Sequence, residues 1–261
     1  MQNQTHKAKK SLGQNFLKSE SALNKIVDAG EVSKEDTVIE IGPGKGALTA
    51  KLLEKAGQVI AIEKDLDLVE FLKEKFEKEI ASGALILQNE DILNFTPKSP
   101  YKIIANIPYN ITGAILKKFL TDANQPERMV LMVQHEVAKR IVARDNKESI
   151  LSISVKAYGV PKIVTKVEAR YFSPQPKVDS AVISITGISR KTFQENNINE
   201  ENFWKIVHAG FAHKRKKLSG NLKNIISAEK LKEMKIGDKR AEDLPISDWL
   251  LLSKVLQLKD N

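Results

Sequence analysis

A chain of 261 residues is long for one hydrophobic core, and its 41% hydrophobic content suffices to build one, so a large domain with a smaller companion is the expected organisation. Lys and Arg number 42 against 33 Asp and Glu, a formal charge of +9 that favours a polyanionic partner over an acidic one. The absence of cysteine excludes disulfides, thiolate nucleophiles and cysteine zinc sites.

The start, MQNQTHKAKK, is polar and basic through Lys7, Lys9 and Lys10, without the apolar core of a signal peptide. No apolar run nears the roughly 18 residues of a membrane-spanning helix, so a cytoplasmic protein with no membrane partner is expected. The first 20 or so residues are expected to stay mobile until a ligand orders them. From Thr37 the pattern alternates. TVIEIGPG, QVIAIEKD, ALILQNED, YKIIANIPY and RMVLMVQHE have strand character, whereas GALTAKLLEKAG, LDLVEFLKEKFEKEIAS and ITGAILKKFLTDA space apolar residues at helical intervals. After a helix in ESILSISVKAYG, the stretches KIVTKVEARYF and DSAVISITGI supply two more β-branched strands around SPQPKV. The expected fold is α/β, Rossmann-like, with a seven-stranded, mostly parallel sheet over residues 1–188. Beyond that, RKTFQENNINEEN is loop-like, and FWKIVHAGFAH, LSGNLKNII, AEKLKEM and SDWLLLSKVLQL predict a small all-α domain over 189–261.

The loop EIGPGKGALT follows the first of these strands and opens a helix, where glycines let the backbone turn and approach a ligand. Gly42, Gly44 and Ala47 fit the dinucleotide pattern, and Glu63 ends the next strand where a ribose-binding acid belongs. This predicts a nucleoside-type cofactor without choosing between NAD and S-adenosylmethionine; a tight structural turn is the plainer alternative. Asp91 and Asn106 close the two following strands and would join Glu63 along the carboxyl edge of the sheet, although Asp91 equally suits a helix N-cap.

At IIANIPYN, Pro108 ends strand pairing and holds Ile107 extended, so that Asn106 and neighbouring carbonyls form a set of hydrogen-bond acceptors with the flat face of Tyr109 beside them. An adenine amine is a poor nucleophile because its lone pair is conjugated with the ring. Acceptors on both its hydrogens favour a pyramidal nitrogen and stabilise the positive charge that develops as a methyl group arrives. C5-pyrimidine methylation commonly needs a thiolate, which this chain lacks. A strand-terminating turn is the alternative for this stretch. Phe172, ahead of the proline-stiffened loop, is placed either to stack on an extruded base or to fill the core, and Lys177 to meet a phosphate. The run Lys214, Arg215, Lys216 and Lys217, with no acid adjacent in sequence, suits a phosphate backbone or forms a solvated face. His208 and His213 lack the further ligands of a metal site, and no metal is expected.

KKSLGQNFL, EIGPGKGALT, AIEKD, NEDIL, NIPYNI, MVQHEVAKRI, FSPQPKVDSAV and FAHKRKKLSGNL, in this order, resemble the ribosomal RNA adenine N6,N6-dimethyltransferases, and in particular the bacterial enzymes of the small subunit. The resemblance covers nearly the whole chain. It implies S-adenosylmethionine as methyl donor, a class I methyltransferase domain, and dimethylation of two adjacent adenosines in the 3′-terminal hairpin of 16S rRNA during small-subunit biogenesis. The partner implied is that rRNA within the subunit or its precursor, met by a monomer. By residue, it implies that Asn15, Leu17, Gly42, Glu63, Asp91 and Asn106 contact the cofactor. Asn106, Pro108, Tyr109 and Phe172 would hold the target adenine, and the helical tail would dock the particle. One departure is Gly113 with Ala114, where a Ser or Thr followed by Pro is expected. The competing expectations are a large-subunit rRNA dimethyltransferase conferring antibiotic resistance, a relative that binds RNA without turnover, and, most remotely, a dehydrogenase.

Overall fold

The computed structural model describes Lys9, residues 12–98 and residues 100–260. Lys7 and Lys10 lie outside the described residues. In chain order the elements are β1 (Phe16–Leu17), α1 (Glu20–Ala29), β2 (Thr37–Ile41), α2 (Ala47–Lys55), β3 (Gln58–Glu63), α3 (Leu66–Lys75), α4 (Glu77–Ala81), β4 (Leu85–Asn89), β5 (Lys102–Asn106), α5 (Thr112–Thr121), β6 (Arg128–Gln134) and α6 (His135–Val142). There follow α7 (Ile150–Lys156), β7 (Val160–Val167), β8 (Phe172–Ser173), β9 (Ser180–Thr186), α8 (Lys191–Asn196), α9 (Glu200–Gly210), α10 (Leu218–Asn221), α11 (Ala228–Glu233) and α12 (Ile246–Asp260).

Seven strands form one sheet in the order β4-β3-β2-β5-β6-β9-β7. The first five in this order run parallel, and β9 is antiparallel to β6. Strands buried on both faces need side chains apolar on both faces, which is why KIIAN and RMVLMVQ read as continuous runs rather than alternating ones. Ile103, Ile104, Ala105, Val130 and Val133 are fully buried. The chain leaves β2 toward β3 and β4 on one side and returns to β5 on the other, so the strand order reverses between β2 and β5. That reversal opens a crevice at the carboxyl edge of the sheet.

The chain divides into two compact units, Met1–Ala138 with Pro161–Ile188, and Lys139–Val160 with Ser189–Asn261. The sequence division at residues 188 and 189 coincides with one of these crossings, but Lys139–Val160 groups with the helical unit instead of the sheet. Aromatic packing accounts for this: Tyr158 stacks on Trp204 with ring centroids 6.5 Å apart, lies 5.4 Å from the Phe193 ring and donates its hydroxyl to Glu200 Oε2 at 2.9 Å. Within the same unit Trp249 is wholly buried and stacks on Phe211 at 5.3 Å.

Three expected elements differ. The helix expected over LDLVEFLKEKFEKEIAS breaks at Phe76 (φ −116°, ψ 33°), whose ring packs against Gly46. RKTFQENNINEEN, expected as loop, contains α8, which buries Phe193. Finally, Phe16 and Leu17 of the basic amino-terminal stretch form β1, paired antiparallel with Ser173 and Phe172 of β8.

Candidate active site and cofactor cleft

A cleft of about 450 Å³ opens at the carboxyl edge where β2 and β5 part, a volume that suits a nucleoside-sized ligand. Its walls bring together Asn15, Leu17, Gly42, Glu63, Asp91, Asn106, Pro108 and Tyr109.

The Gly-rich loop forms the floor. Gly42, Gly44 and Gly46 take φ values of 64°, 59° and 73°, a region costly for side-chain-bearing residues. Gly44 is also sterically required: a Cβ there would lie 2.9 Å from the Phe16 ring. The turn delivers the backbone to the start of α2, which has no side-chain cap, so its first N–H groups remain available to a ligand. The loop is fastened to β3 by Gly42 N donating to the Ile62 carbonyl at 2.9 Å.

Glu63 at the end of β3 accepts from Gly44 N at 3.3 Å and from Asp65 N at 2.9 Å, and is 6% exposed. Burial raises its pKa, and the backbone N–H groups of Asp65, Gly44 and Lys64 oppose the shift. Three N–H groups still leave part of a carboxylate's capacity of roughly four lone-pair sites open to a ligand hydroxyl. Asp91 lines the cleft, and its Oδ1 accepts from Leu93 N at 3.0 Å in a turn, not at the helix N-terminus that was the alternative expectation. Its Oδ2 pairs with Lys64 at 2.8 Å, which holds its carboxyl below the usual range, the Leu93 N–H assisting.

Asn106 ends β5. Its Nδ2 donates to the Asn15 carbonyl at 3.2 Å, which leaves Oδ1 as the side-chain group open to a ligand donor. Pro108 O accepts from Ile111 N at 3.3 Å and starts the turn Tyr109–Ile111. Among the described residues no backbone N–H donates to the Ile107 carbonyl, so this one, rather than that of Pro108, is the free acceptor beside Asn106. The Tyr109 hydroxyl lies 2.6 Å from Ser180 Oγ, and burial raises the pKa of the phenol, with the Ser180 hydrogen bond acting against it.

Phe172 is 4% exposed, belongs to the core cluster with Leu17 and Val167 and is not among the residues that line the cleft; Leu17 of β1 pairs beside it. The adjacent exposed aromatic is Tyr171, with the Arg170 guanidinium 5.2 Å from its ring centroid. The amino-terminal stretch is tied down in several places. Lys9 Nζ lies 2.5 Å from Asp65 Oδ1, Gln14 Nε2 donates to Asp65 Oδ2 at 2.7 Å, and Lys18 N donates to the Tyr171 carbonyl at 2.9 Å.

Lys177 is exposed in the loop between β8 and β9. Lys214, Arg215, Lys216 and Lys217 are exposed in the turn between α9 and α10, but Lys217 has an acid close in space, Asp238 at 2.7 Å, which the local sequence does not show. Sequence reasoning also missed Glu40, a cleft residue only 1% exposed that accepts from Thr49 Oγ1 at 2.6 Å and whose pKa burial pushes up to about 8. A glutamate within TVIEI, otherwise built for burial, was the available signal. Among the described residues no group of three or more His, Asp or Glu is arranged to hold a metal ion, and no helix is long and apolar enough to cross a membrane.

Comparison with known proteins gives a consistent picture. Residues 5–258 match the family model described as ribosomal RNA adenine dimethylase. A Dehalococcoides mccartyi protein named ribosomal RNA small subunit methyltransferase A is 43% identical over 95% of this chain and 88% of its own length. One of the same name from Rippkaea orientalis is 37% identical over 95% of this chain and 97% of its own. Among solved structures, a dimethyladenosine transferase from Plasmodium falciparum superposes with a TM-score of 0.81 at 27% identity, covering 94% of this chain and 98% of that one. The 23S rRNA methyltransferase ErmE superposes with a TM-score of 0.75 at 25% identity, covering 93% and 99%.

Proposed function

The chain belongs to the ribosomal RNA adenine dimethylase family, and from that premise we propose that it dimethylates N6 of two adjacent adenosines in the 3′-terminal hairpin of small-subunit rRNA, with S-adenosylmethionine as donor. The observation that carries the chemistry is Asn106: its Nδ2 is committed to the Asn15 carbonyl, so Oδ1 and the free Ile107 carbonyl form a pair of acceptors at the cleft. Two acceptors match the two N–H groups of an adenine amine.

The cleft fits the methyl donor. Its glycine loop admits close backbone approach, Glu63 meets ribose hydroxyls, Asp91 accepts from the adenine amine of the cofactor, and Asn15 and Leu17 close the wall. When bound, S-adenosylmethionine supplies an electrophilic methyl group on a sulfonium. The chain's own residues do the rest. Asn106 Oδ1 and the Ile107 carbonyl draw the amine hydrogens out of the ring plane, which frees the nitrogen lone pair from conjugation, and stabilise the positive charge on nitrogen, and Pro108 keeps the Ile107 carbonyl outside the sheet ladder. Tyr109 presents a flat face to the target base. Each transfer would form one N–C bond as the donor's S–CH3 bond breaks, the electron pair staying on sulfur and S-adenosylhomocysteine leaving, and would release one proton from nitrogen, which solvent takes, since neither amide-type acceptor is basic.

RNA docking is assigned to the helical unit, through Lys214, Arg215, Lys216 and Lys217, with Lys177 contributing from the sheet unit; all five are exposed cations. The enzyme acts as a monomer on the subunit or its precursor, and a cytoplasmic location follows from that substrate. Small-subunit specificity is supported by the names of the relatives at 37–43% identity, whereas the ErmE likeness supports a large-subunit reading. Label transfer from S-adenosylmethionine to unmethylated small subunits, large subunits and naked RNA separates them. Label on small subunits is expected; label confined to large subunits overturns the specificity, and none on any RNA favours a binding protein without turnover.

A further inference from the structure

Ser180 opens β9 opposite Gln134 of β6 and is 0% exposed. A hydroxyl placed ahead of Ala181, Val182 and Ile183, all fully buried, is unfavourable there without a partner. Its partner is the Tyr109 hydroxyl, 2.6 Å away across 71 residues of sequence. Tyr109 sits on a three-residue turn just past the end of β5, its carbonyl accepting from Thr112 Oγ1 at 3.0 Å, and among the described residues Ser180 is the hydrogen-bond partner of its hydroxyl. A tyrosine ring has two free torsions, and anchoring the far end removes both.

The anchor is itself held. Asp179 precedes Ser180, and its carbonyl accepts from His135 N at 2.9 Å, its Oδ1 accepts from Ala169 N at 2.9 Å and its Oδ2 pairs with Lys166 at 2.7 Å. The backbone that carries Ser180 is therefore clamped to β7, to the segment leading into β8 and to the start of α6. Burial keeps the Tyr109 phenol protonated and able to donate.

We propose that Ser180 is a positioning residue for methyl transfer, its hydroxyl fixing the Tyr109 ring so that a base lying on it presents its amine to Asn106 Oδ1 and the Ile107 carbonyl. This gives the KVDS stretch a role in the reaction, and it rests on the adenine N6 reading above. Ser180 touches neither substrate nor cofactor in this scheme, so its effect belongs in kcat for RNA and not in cofactor binding.

The test compares wild type, Ser180→Ala, Tyr109→Phe and the double variant, with unmethylated small subunits as substrate and S-adenosylmethionine binding followed by calorimetry. Equal cofactor affinity in all four shows an intact sheet. Ser180→Ala is expected to lower kcat about 10- to 100-fold, the loss typical of a misplaced reacting group, with the KM for S-adenosylmethionine unchanged. Tyr109→Phe should lose a similar factor, and the double variant no more than either, because one hydrogen bond is removed each time. Ser180→Thr, which restores a hydroxyl, should recover part of the rate. A Ser180→Ala kcat within about twofold of wild type overturns the proposal, as do losses that multiply in the double variant. Wild type that binds cofactor but labels no subunit overturns instead the reading on which it rests.

Discussion

Asn106 can act as an acceptor because one hydrogen bond decides which end of its amide faces the ligand. With Nδ2 given to the Asn15 carbonyl, Oδ1 is left for the amine. Asn106→Ala removes the acceptor and should lower kcat by about 10²- to 10³-fold, the scale of a lost transition-state hydrogen-bonding group, in a single-turnover label assay. Asn106→Asp keeps an acceptor but sets its second oxygen against the Asn15 carbonyl, so it should also be impaired; full activity in either variant would contradict the acceptor arrangement. Glu40 makes a different prediction. Its ordinary value of 4.5 rises to about 8 in the folded protein because burial disfavours the carboxylate. Between these values the native state holds a proton that the unfolded chain has released, so this group's contribution makes stability fall as pH rises from about 4.5 through about 8, and it stays lost above that. Glu40→Gln keeps an acceptor for the Thr49 hydroxyl and removes the titration. Its melting temperature should gain on wild type between pH 6 and pH 9, whereas parallel curves for the two proteins would exclude this origin.

Strand ends were legible where the apolar run stops on the residue itself, as at Glu63 and Asn106, whereas β4 ends at Asn89 and Asp91, expected to close it, lies two residues beyond. The pairing beside Phe172 was not legible for a physical reason: β1 and β8 contribute two residues each and pair across more than 150 positions, so no periodicity announces them. The polar helix α8 was hidden likewise, since a single buried side chain, Phe193, carries its packing. The Gly-rich loop was legible as a turn, but not the reason Gly44 is needed, which is the Phe16 ring brought over it by β1. Gly44→Ala should cost about 1–2 kcal/mol for the left-handed backbone alone, before the clash with Phe16 is relieved. Because relieving it means displacing the amino-terminal stretch that lines the cleft, cofactor affinity should fall along with stability. Calorimetric titration at a temperature where the variant remains folded checks this, and unchanged affinity would mean that β1 does not shape the site.

At the scale of the molecule, the +9 charge foresaw a polyanion but not how the cations are spent. Many of them are neutralised in the fold: Lys9 at Asp65, Lys102 at Asp36 and Lys156 at Glu148 are ion pairs, and none of these pairings can be read from neighbouring residues. The same holds inside the basic run, where Lys217 is paired with Asp238. Lys214, Arg215 and Lys216 stay exposed in the same turn, so they, more than Lys217, should release counterions from RNA on binding. Replacing the three with Gln should weaken binding to unmethylated small subunits at low salt and flatten the dependence of log K on log salt by about one for each phosphate no longer neutralised. Lys217→Gln should flatten it less, because its partner already screens it. S-adenosylmethionine affinity should not change in any of these variants, as none of the four residues lines the cleft. A triple variant with the wild-type salt slope would show that the turn does not meet phosphate, and would leave the exposed Lys177 of the sheet unit as the next cation to replace.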